Sequence, residues 1–370
     1  MSDNKYTNEF FEEYEKKYTA EQKTDGEKTH TSHAKRNTLK KTRDVLLCVV
    51  AIVLVAVLAA VLIFKPPVKT NGQDANISVP SVPSEPEPEP EPPFATFATE
   101  NTAAFAYAIK SEYGVLIDAD TGEIIYQKNA DAKIYPASLT KILTLLVAVE
   151  NITDFNDTFQ MTSEIIDPHY RADASMAGFA PEEIIPIRDL LYGAVLPSGA
   201  DATTALGIYV AGTEQEFAAL MNKKIEQLGI TTAHFCNTSG LHDNNHYCTV
   251  KDMAVILKAA MDNETCREIL STYQYTTTAT PQNPEGLPLV STMFSRMTGE
   301  EPEGATILGG KTGFTNEAGN CLATFGKNDA GRNFIMVTVK ADYKWKSIFD
   351  HIHTYSTLAP ETTSENTESN

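Results

Sequence analysis

Val45 to Phe64 reads VLLCVVAIVLVAVLAAVLIF, twenty residues without a charge or a strong polar group, and no other feature restricts this 370-residue chain as much. At 1.5 Å per residue, a helix of that length matches a hydrocarbon core of about 30 Å. A cleavable leader would have a shorter apolar stretch, roughly 7–15 residues, near the N-terminus. Here 44 residues come first. A helix buried in a soluble core would keep a polar face. The run is therefore expected to cross a membrane once. Lys35, Arg36, Lys40, Lys41 and Arg43 precede it and Lys65 and Lys69 follow it. By the positive-inside rule, residues 1–44 stay in the cytoplasm and the rest is exported.

The flanks have different characters. Residues 1–44 carry 10 Lys+Arg against 9 Asp+Glu and read as a disordered tail, with room for a short helix around Phe10 to Tyr18. Residues 65–93 form a linker holding 9 of the 19 prolines and ending in Pro-Glu-Pro-Glu-Pro-Glu-Pro-Pro. Such a run builds no core and stiffens toward polyproline II, with a reach of roughly 90 Å. Globular composition begins after Pro93, so one domain is expected over 94–357, followed by a polar, disordered tail, 358–370. Every stretch beyond the first is acidic and the chain totals -19. This argues against nucleic acid as a partner, because phosphate binding needs clustered cations. The five cysteines form no disulfide scaffold. Cys48 lies in the apolar run, and Cys236, Cys248, Cys266 and Cys321 lie in the exported part, where oxidation is chemically open. Cys236 and Cys248 bracket a short loop, and their spacing leaves a pair and two free thiols equally open.

Within the domain, Tyr113–Asp118 and Glu123–Gln127 read as strands joined by Ala-Asp-Thr-Gly. Ser138–Val149 is an apolar helix expected to be buried nearly all round. Ile187–Val195, Asp201–Val210 and Val250–Met261 are further helices. Thr213 with Glu216 predicts a capping box before a helix over Phe217–Leu228, which closes at Gly229. Strands return at Thr306–Thr312, Cys321–Phe325 and Phe334–Lys340, and a last helix covers Tyr343–Tyr355. The order is strands, helices, strands, helix. It predicts an α+β fold, with one antiparallel sheet flanked by helices and an all-helical lobe beside it.

Three motifs carry chemistry. Ser138-Leu-Thr-Lys141 opens the buried helix, and its spacing of three puts both side chains on one face. A serine hydroxyl needs a neighbour to take its proton, and a lysine can do so only when burial or another cation keeps it neutral. Ser-x-x-Lys also occurs at Ser2–Lys5 and Ser32–Lys35, neither of which opens a buried helix. Lys311-Thr312-Gly313 ends a strand after Gly309-Gly310. A cation, a hydroxyl and a glycine there suit a carboxylate. Pro197-Ser198-Gly199-Ala200-Asp201, between two helices, offers a second hydroxyl to pass a proton.

In this order the three motifs are specific, and the sequence resembles the penicillin-binding-protein and serine β-lactamase superfamily. Within it, the low-molecular-mass D-alanyl-D-alanine carboxypeptidases are the nearest match. Supporting phrases are Tyr135-Pro-Ala-Ser138, Leu220-Met-Asn, His234-Phe-Cys-Asn237 with Gly240-Leu-His-Asp243 and His246, and Ala318-Gly-Asn-Cys-Leu322. The resemblance covers about 94–340. It implies a β-lactamase/transpeptidase-like fold and an enzyme that trims the terminal D-Ala from peptidoglycan stem peptides. It also implies β-lactams as inhibitors and no metal or cofactor. By the resemblance, Ser138 is the acylated nucleophile, Lys141 its base, Ser198 a proton relay, and Lys311 an electrostatic stabiliser. Thr312 binds the substrate carboxylate, with Gly313 and Phe314 lining the same edge. Backbone N–H groups of Ser138 and Phe314 form the oxyanion hole.

One position departs: the family's middle motif is Ser-x-Asn, and Ala200 stands at the Asn. Literal Ser-x-Asn at Ser2 and Ser364 lies in the tails. The carboxylate-completing cation is sought at Lys344 or Lys346. His234, His242 and His246 are read as part of a structural loop, because Asp-Asn-Asn between the last two opposes a helical metal pair. A β-lactamase would need a deacylating base, and the stretch 150–186 offers Glu150, Glu164, Glu182 and Glu183. A non-catalytic wall-binding protein is the contrasting class, suggested only by Ala200.

Overall fold

The computed structural model describes residues 94–358. The chain parts into two units between Glu87 and Pro88, and all described residues belong to the second. The tail 1–44, the apolar run 45–64, the linker 65–93 and residues 359–370 lie outside the described residues. So do the decoy Ser-x-x-Lys and Ser-x-Asn motifs. Among the described residues no helix is long and apolar enough to cross a membrane.

In chain order the elements are β1 (Tyr113–Asp118), β2 (Ile124–Lys128), a 3-10 turn (Ala137–Leu139) and α1 (Thr140–Asn151). Next come β3 (Thr158–Gln160), α2 (Ser163–Arg171), β4 (Ile184–Pro186), α3 (Ile187–Val195) and α4 (Ala200–Ala211). They are followed by α5 (Glu214–Gln227), α6 (Val250–Asp262), α7 (Glu264–Leu270), β5 (Gln274–Thr276), β6 (Pro288–Val290) and α8 (Phe294–Met297). The last elements are β7 (Ala305–Thr315), β8 (Gly319–Asn328), β9 (Asn333–Ala341) and α9 (Lys344–Ser356).

One antiparallel sheet has the order β2-β1-β9-β8-β7. Its central strands are apolar on both faces because each face is covered, so the usual alternation disappears from the sequence. On β9, Phe334 and Met336 turn with Leu116 and Tyr355 into a small core under α9. Ile335, Val337 and Val339 turn the other way into the main core, toward α6 and the helical lobe. α1 lies at the centre of that lobe, touched by α3, α4, α5, α6 and α7, and residues Thr140 to Val149 are all buried. The expected α+β layout is what the chain adopts.

The structure amends several element boundaries. Ser138 sits in the 3-10 turn ahead of α1 rather than in its first α-helical turn. α5 begins at Glu214, and only half of the expected box forms. Thr213 accepts the Glu216 N–H, but the Glu216 carboxylate bonds back to the Thr213 hydroxyl at 3.0 Å. The complete capping box is at Thr249 and Asp252. The stretch 150–186 holds β3, α2 and β4, and 263–300 holds α7, β5, β6 and α8, none of which the hydrophobic period marked. These pieces are short, and Pro168 interrupts α2.

Residues 97–103 run along the outer edge of β2. Phe97 N–H bonds Gly122 O at 3.0 Å, Ile124 N–H bonds Phe97 O at 2.8 Å, and Ala103 exchanges two bonds with Ile125 and Gln127. The β2 edge is thereby paired, and β7 forms the other edge of the sheet.

Candidate active site

The 3-10 turn that carries Ser138 is wedged between the end of β7 and the loop 237–241. A Cβ on Gly313 would stand 3.0 Å from Ser138 N and 3.2 Å from Leu139 N. A side chain there would therefore push β7 off the nucleophile's backbone. Opposite, Gly240 at φ +81° lies so close that a Cβ would meet Ala137 O at 1.8 Å. Ala137 itself has φ +48°, a left-handed conformation that costs a non-glycine residue energy and recurs at functional sites.

Lys141 Nζ donates to Ser138 Oγ at 3.0 Å and to the Ser239 carbonyl at 2.6 Å. Lys141 as a whole is 2 % exposed. Burial drives its pKa from 10.5 down to about 7, against the upward pull of the Asp201 and Glu214 carboxylates. Such an amine is substantially neutral at physiological pH and able to accept the Ser138 proton.

The second amine, Lys311 on β7, is 1 % exposed and donates to Ser198 Oγ at 2.8 Å and to Thr312 O at 2.9 Å. Burial first, then the charges of Lys141 and Arg296, hold its pKa well below the usual lysine value. Ser198 occupies the bend between α3 and α4 at φ +66°, again left-handed. Thr312 Oγ1 shares a hydrogen bond with Thr292 Oγ1 at 2.7 Å. Phe314, one residue beyond Gly313, is 58 % exposed. The structure thus brings Ser138, Lys141, Ser198, Lys311, Thr312 and Gly313 to one place, and leaves Phe314 at its rim. Ala200 is buried as the first residue of α4, and its N–H donates to Ser175 O at 2.8 Å.

Lys346 Nζ bonds Asp342, and Lys344 lies over the Trp345 ring, both at the start of α9. Besides Lys141, the cation whose charge reaches Lys311 is Arg296 of α8, a residue no motif marked. It lies in the four-residue helix α8, which carries no sequence motif. The loop 237–241 was also missed as a functional part. Asn237 Oδ1 accepts the N–H groups of Ser239 at 3.2 Å and Gly240 at 2.7 Å, which orients the Ser239 carbonyl toward Lys141.

The histidines serve this scaffold. His246 Nδ1 accepts Cys236 N–H at 3.1 Å, so its Nε2 carries the proton and donates to Thr140 Oγ1 at 2.8 Å. His242 meets the Tyr135 ring edge-on, and His234 Nδ1 donates to Asn245 O at 2.7 Å. Among the described residues no three His, Cys, Asp or Glu are grouped to hold a metal ion. Cys236, Cys248, Cys266 and Cys321 are all free thiols. The antiparallel bridge between His234 and Tyr247 leaves Cys236 facing His234 and Asp243, while Cys248 packs into the core.

A two-lobed α+β fold with paired hydroxyl–amine contacts at the lobe boundary is that of the transpeptidase-like proteins. The structure superposes on the Streptomyces K15 DD-transpeptidase with a TM-score of 0.63 and 26% identity, covering 68% of this chain and 98% of that one. Penicillin binding protein 5 from Haemophilus influenzae gives 0.59 and 25%, covering 66% of this chain and 69% of that one. The family model described as D-alanyl-D-alanine carboxypeptidase matches residues 98–343, and the chain belongs to that family. In sequence it is 32% identical over 249 residues to D-alanyl-D-alanine carboxypeptidase DacF of Bacillus subtilis, covering 66% of this chain and 60% of that one. DacC of Escherichia coli is 33% identical over 172 residues, with 44% of this chain and 42% of that one covered. The match thus spans about 60% and 42% of these relatives' lengths, less than two thirds of either.

Proposed function

We infer that this protein is a serine D-Ala-D-Ala carboxypeptidase acting on peptidoglycan stem peptides. The observation that carries the reading is the buried Lys141 amine hydrogen-bonded to Ser138 Oγ. Family membership supplies the substrate class. Neutral Lys141 takes the Ser138 proton as Oγ attacks the penultimate D-Ala carbonyl. The developing oxyanion faces the Ser138 N–H and the end of β7, where donors are held before charge develops. Ser198 passes a proton to the departing D-Ala amine, with Lys311 stabilising the charge. Thr312 receives the terminal carboxylate, and Arg296 adds positive charge to the surroundings of Lys311. Water then attacks the Ser138 ester with Lys141 again as base, and the acid is released.

The β-lactamase alternative needs a carboxylate near the ester, and the four candidates are committed elsewhere. Glu183 is buried and accepts from Thr280 Oγ1, Asn283 Nδ2 and Ala180 N–H. Glu150 pairs with Lys224, Glu182 bonds Gln160 at 3.0 Å, and Glu164 sits in the first turn of α2. We further propose that the run 45–64 anchors the chain with the catalytic domain outside the cytoplasmic membrane. Protease added to intact spheroplasts should remove the domain and spare the first 44 residues.

The deciding experiment incubates the full chain and Ser138→Ala with a stem pentapeptide ending in D-Ala-D-Ala and follows free D-Ala. Release by the wild type alone is expected. Equal release by both removes Ser138 as nucleophile, and release by neither leaves the wall-binding class.

A further inference from the structure

Thr292 stands between β6 and α8, where two parts of the site meet. Its backbone N–H donates to Leu196 O at 3.0 Å, two residues ahead of Ser198. Its neighbours are held separately: Ser291 N–H donates to Tyr273 O at 2.8 Å, and Ser295 N–H to Ser291 O at 3.0 Å. The side chain turns the other way, toward β7, and places Thr292 Oγ1 2.7 Å from Thr312 Oγ1. Among the described residues this is the one hydrogen bond that either hydroxyl makes. Thr312 is buried, whereas Thr292 is half-buried.

A threonine hydroxyl has one proton to give and two lone pairs to receive with. The pair therefore holds two protons, and one of them is spent between the two oxygens. If Thr312 donates to Thr292, Thr312 meets an approaching carboxylate with lone pairs alone, and the contact is repulsive. If Thr292 donates to Thr312, the Thr312 proton is left for the anion. A hydroxyl that already accepts one bond also donates the next more strongly. An ionised carboxylate only accepts, so its arrival selects the second arrangement.

We propose that Thr292 is a positioning residue for the substrate: by donating to Thr312 Oγ1 it turns the Thr312 O–H toward the terminal carboxylate, and so sharpens the preference for a free C-terminal acid. This rests on the reading above, in which Thr312 receives that carboxylate. The carboxylate takes no part in bond making or breaking, so its hold is the same before and during reaction. Weakening that hold raises KM and spares kcat.

The test follows D-Ala release by the full chain from a stem pentapeptide ending in D-Ala-D-Ala. In parallel it follows D-alaninamide release from the same peptide with a C-terminal carboxamide. Thr292→Val removes the hydroxyl and keeps the shape and the backbone bonds. It should raise KM for the acid about tenfold with kcat within about twofold, and change kcat/KM for the carboxamide by no more than about twofold. Thr292→Ser should return KM for the acid to near the wild-type value. In a Thr312→Val background, adding Thr292→Val should cost nothing further, because the hydroxyl it acts through is already gone. If Thr292→Val does not fold, Thr292→Ala carries the same expectations. An unmoved KM for the acid overturns the proposal. So does an equal loss on acid and carboxamide, or a loss undiminished in the Thr312→Val background, since either makes Thr292 a structural part of its loop. A wild type that releases nothing from either peptide, or shows no preference for the acid, removes the reading beneath the proposal, and this is seen before any variant is made.

Discussion

The sheet separates two buried polar clusters of similar burial and opposite character. Under α9, His351 is completely enclosed, with Nδ1 on Thr324 Oγ1 at 2.8 Å and Nε2 on Thr338 Oγ1 at 2.9 Å. Beside it, Asp350 accepts Lys110 N–H, Ser111 N–H and Ser111 Oγ. Each of these groups is bonded near its capacity and has nothing left to give. On the other side, Lys141 has two acceptors for three donors, Lys311 likewise, and neither touches a carboxylate directly. Burial alone does not make a polar group reactive; unspent bonding capacity and an amine that burial keeps from its charged form do.

The sharpest way to break this contrast is to delete one hydroxyl from each side. Ser138→Ala should lower D-Ala release at least ~10³-fold and abolish the penicillin adduct. Thr324→Val, equally buried, should leave the rate within about twofold. Next, Lys141→Arg keeps a cation that cannot become a base, so a loss of similar order, about 10³-fold, is expected at every pH. The wild-type rate should rise through pH 7, where Lys141 sheds its proton. A rate that falls across that range would contradict Lys141 as base.

The α9 side should respond in stability instead. Asp350→Ala leaves three donors without an acceptor and should cost about 2 kcal/mol in denaturant unfolding, with the acid limb of activity unmoved. His351 supplies the pH dependence: burial holds it neutral, pushed down to about 3 from its usual 6.5. The unfolded chain binds the proton first, so stability is full above pH 6.5 and declines as pH falls toward 3. His351→Leu should flatten that slope. The smallest expected effect belongs to Ala200→Asn. Restoring the amide should raise acylation by a few-fold, provided the side chain turns toward the substrate, and an unchanged rate would show that the amide is dispensable here.

The reactive side was the more legible in sequence. Ser138 and Lys141 are three residues apart, and local helical geometry suffices to join them. Lys311 and Ser198 meet across 113 residues, so only a family pattern relates them. Arg296 left no local signature, since it acts through a segment that only tertiary packing relates to the motifs. The strands β1, β7, β8 and β9 were readable because their β-branched and aromatic runs are bounded by glycine, asparagine or aspartate turns. The short elements in 150–186 and 263–300 draw their stability from bonds such as Glu183 to Thr280, which no hydrophobic period records.

The pairing of residues 97–103 with β2 has a mechanical consequence. Chain entering at Phe94 is stitched to the edge of the sheet farthest from β7, roughly 20 Å away at the usual strand spacing. Tension arriving from the N-terminal direction is therefore spent on a ladder of backbone hydrogen bonds across β2. The turn bearing Ser138 stays outside the loaded path, so the catalytic edge keeps its register when force is applied at Phe94.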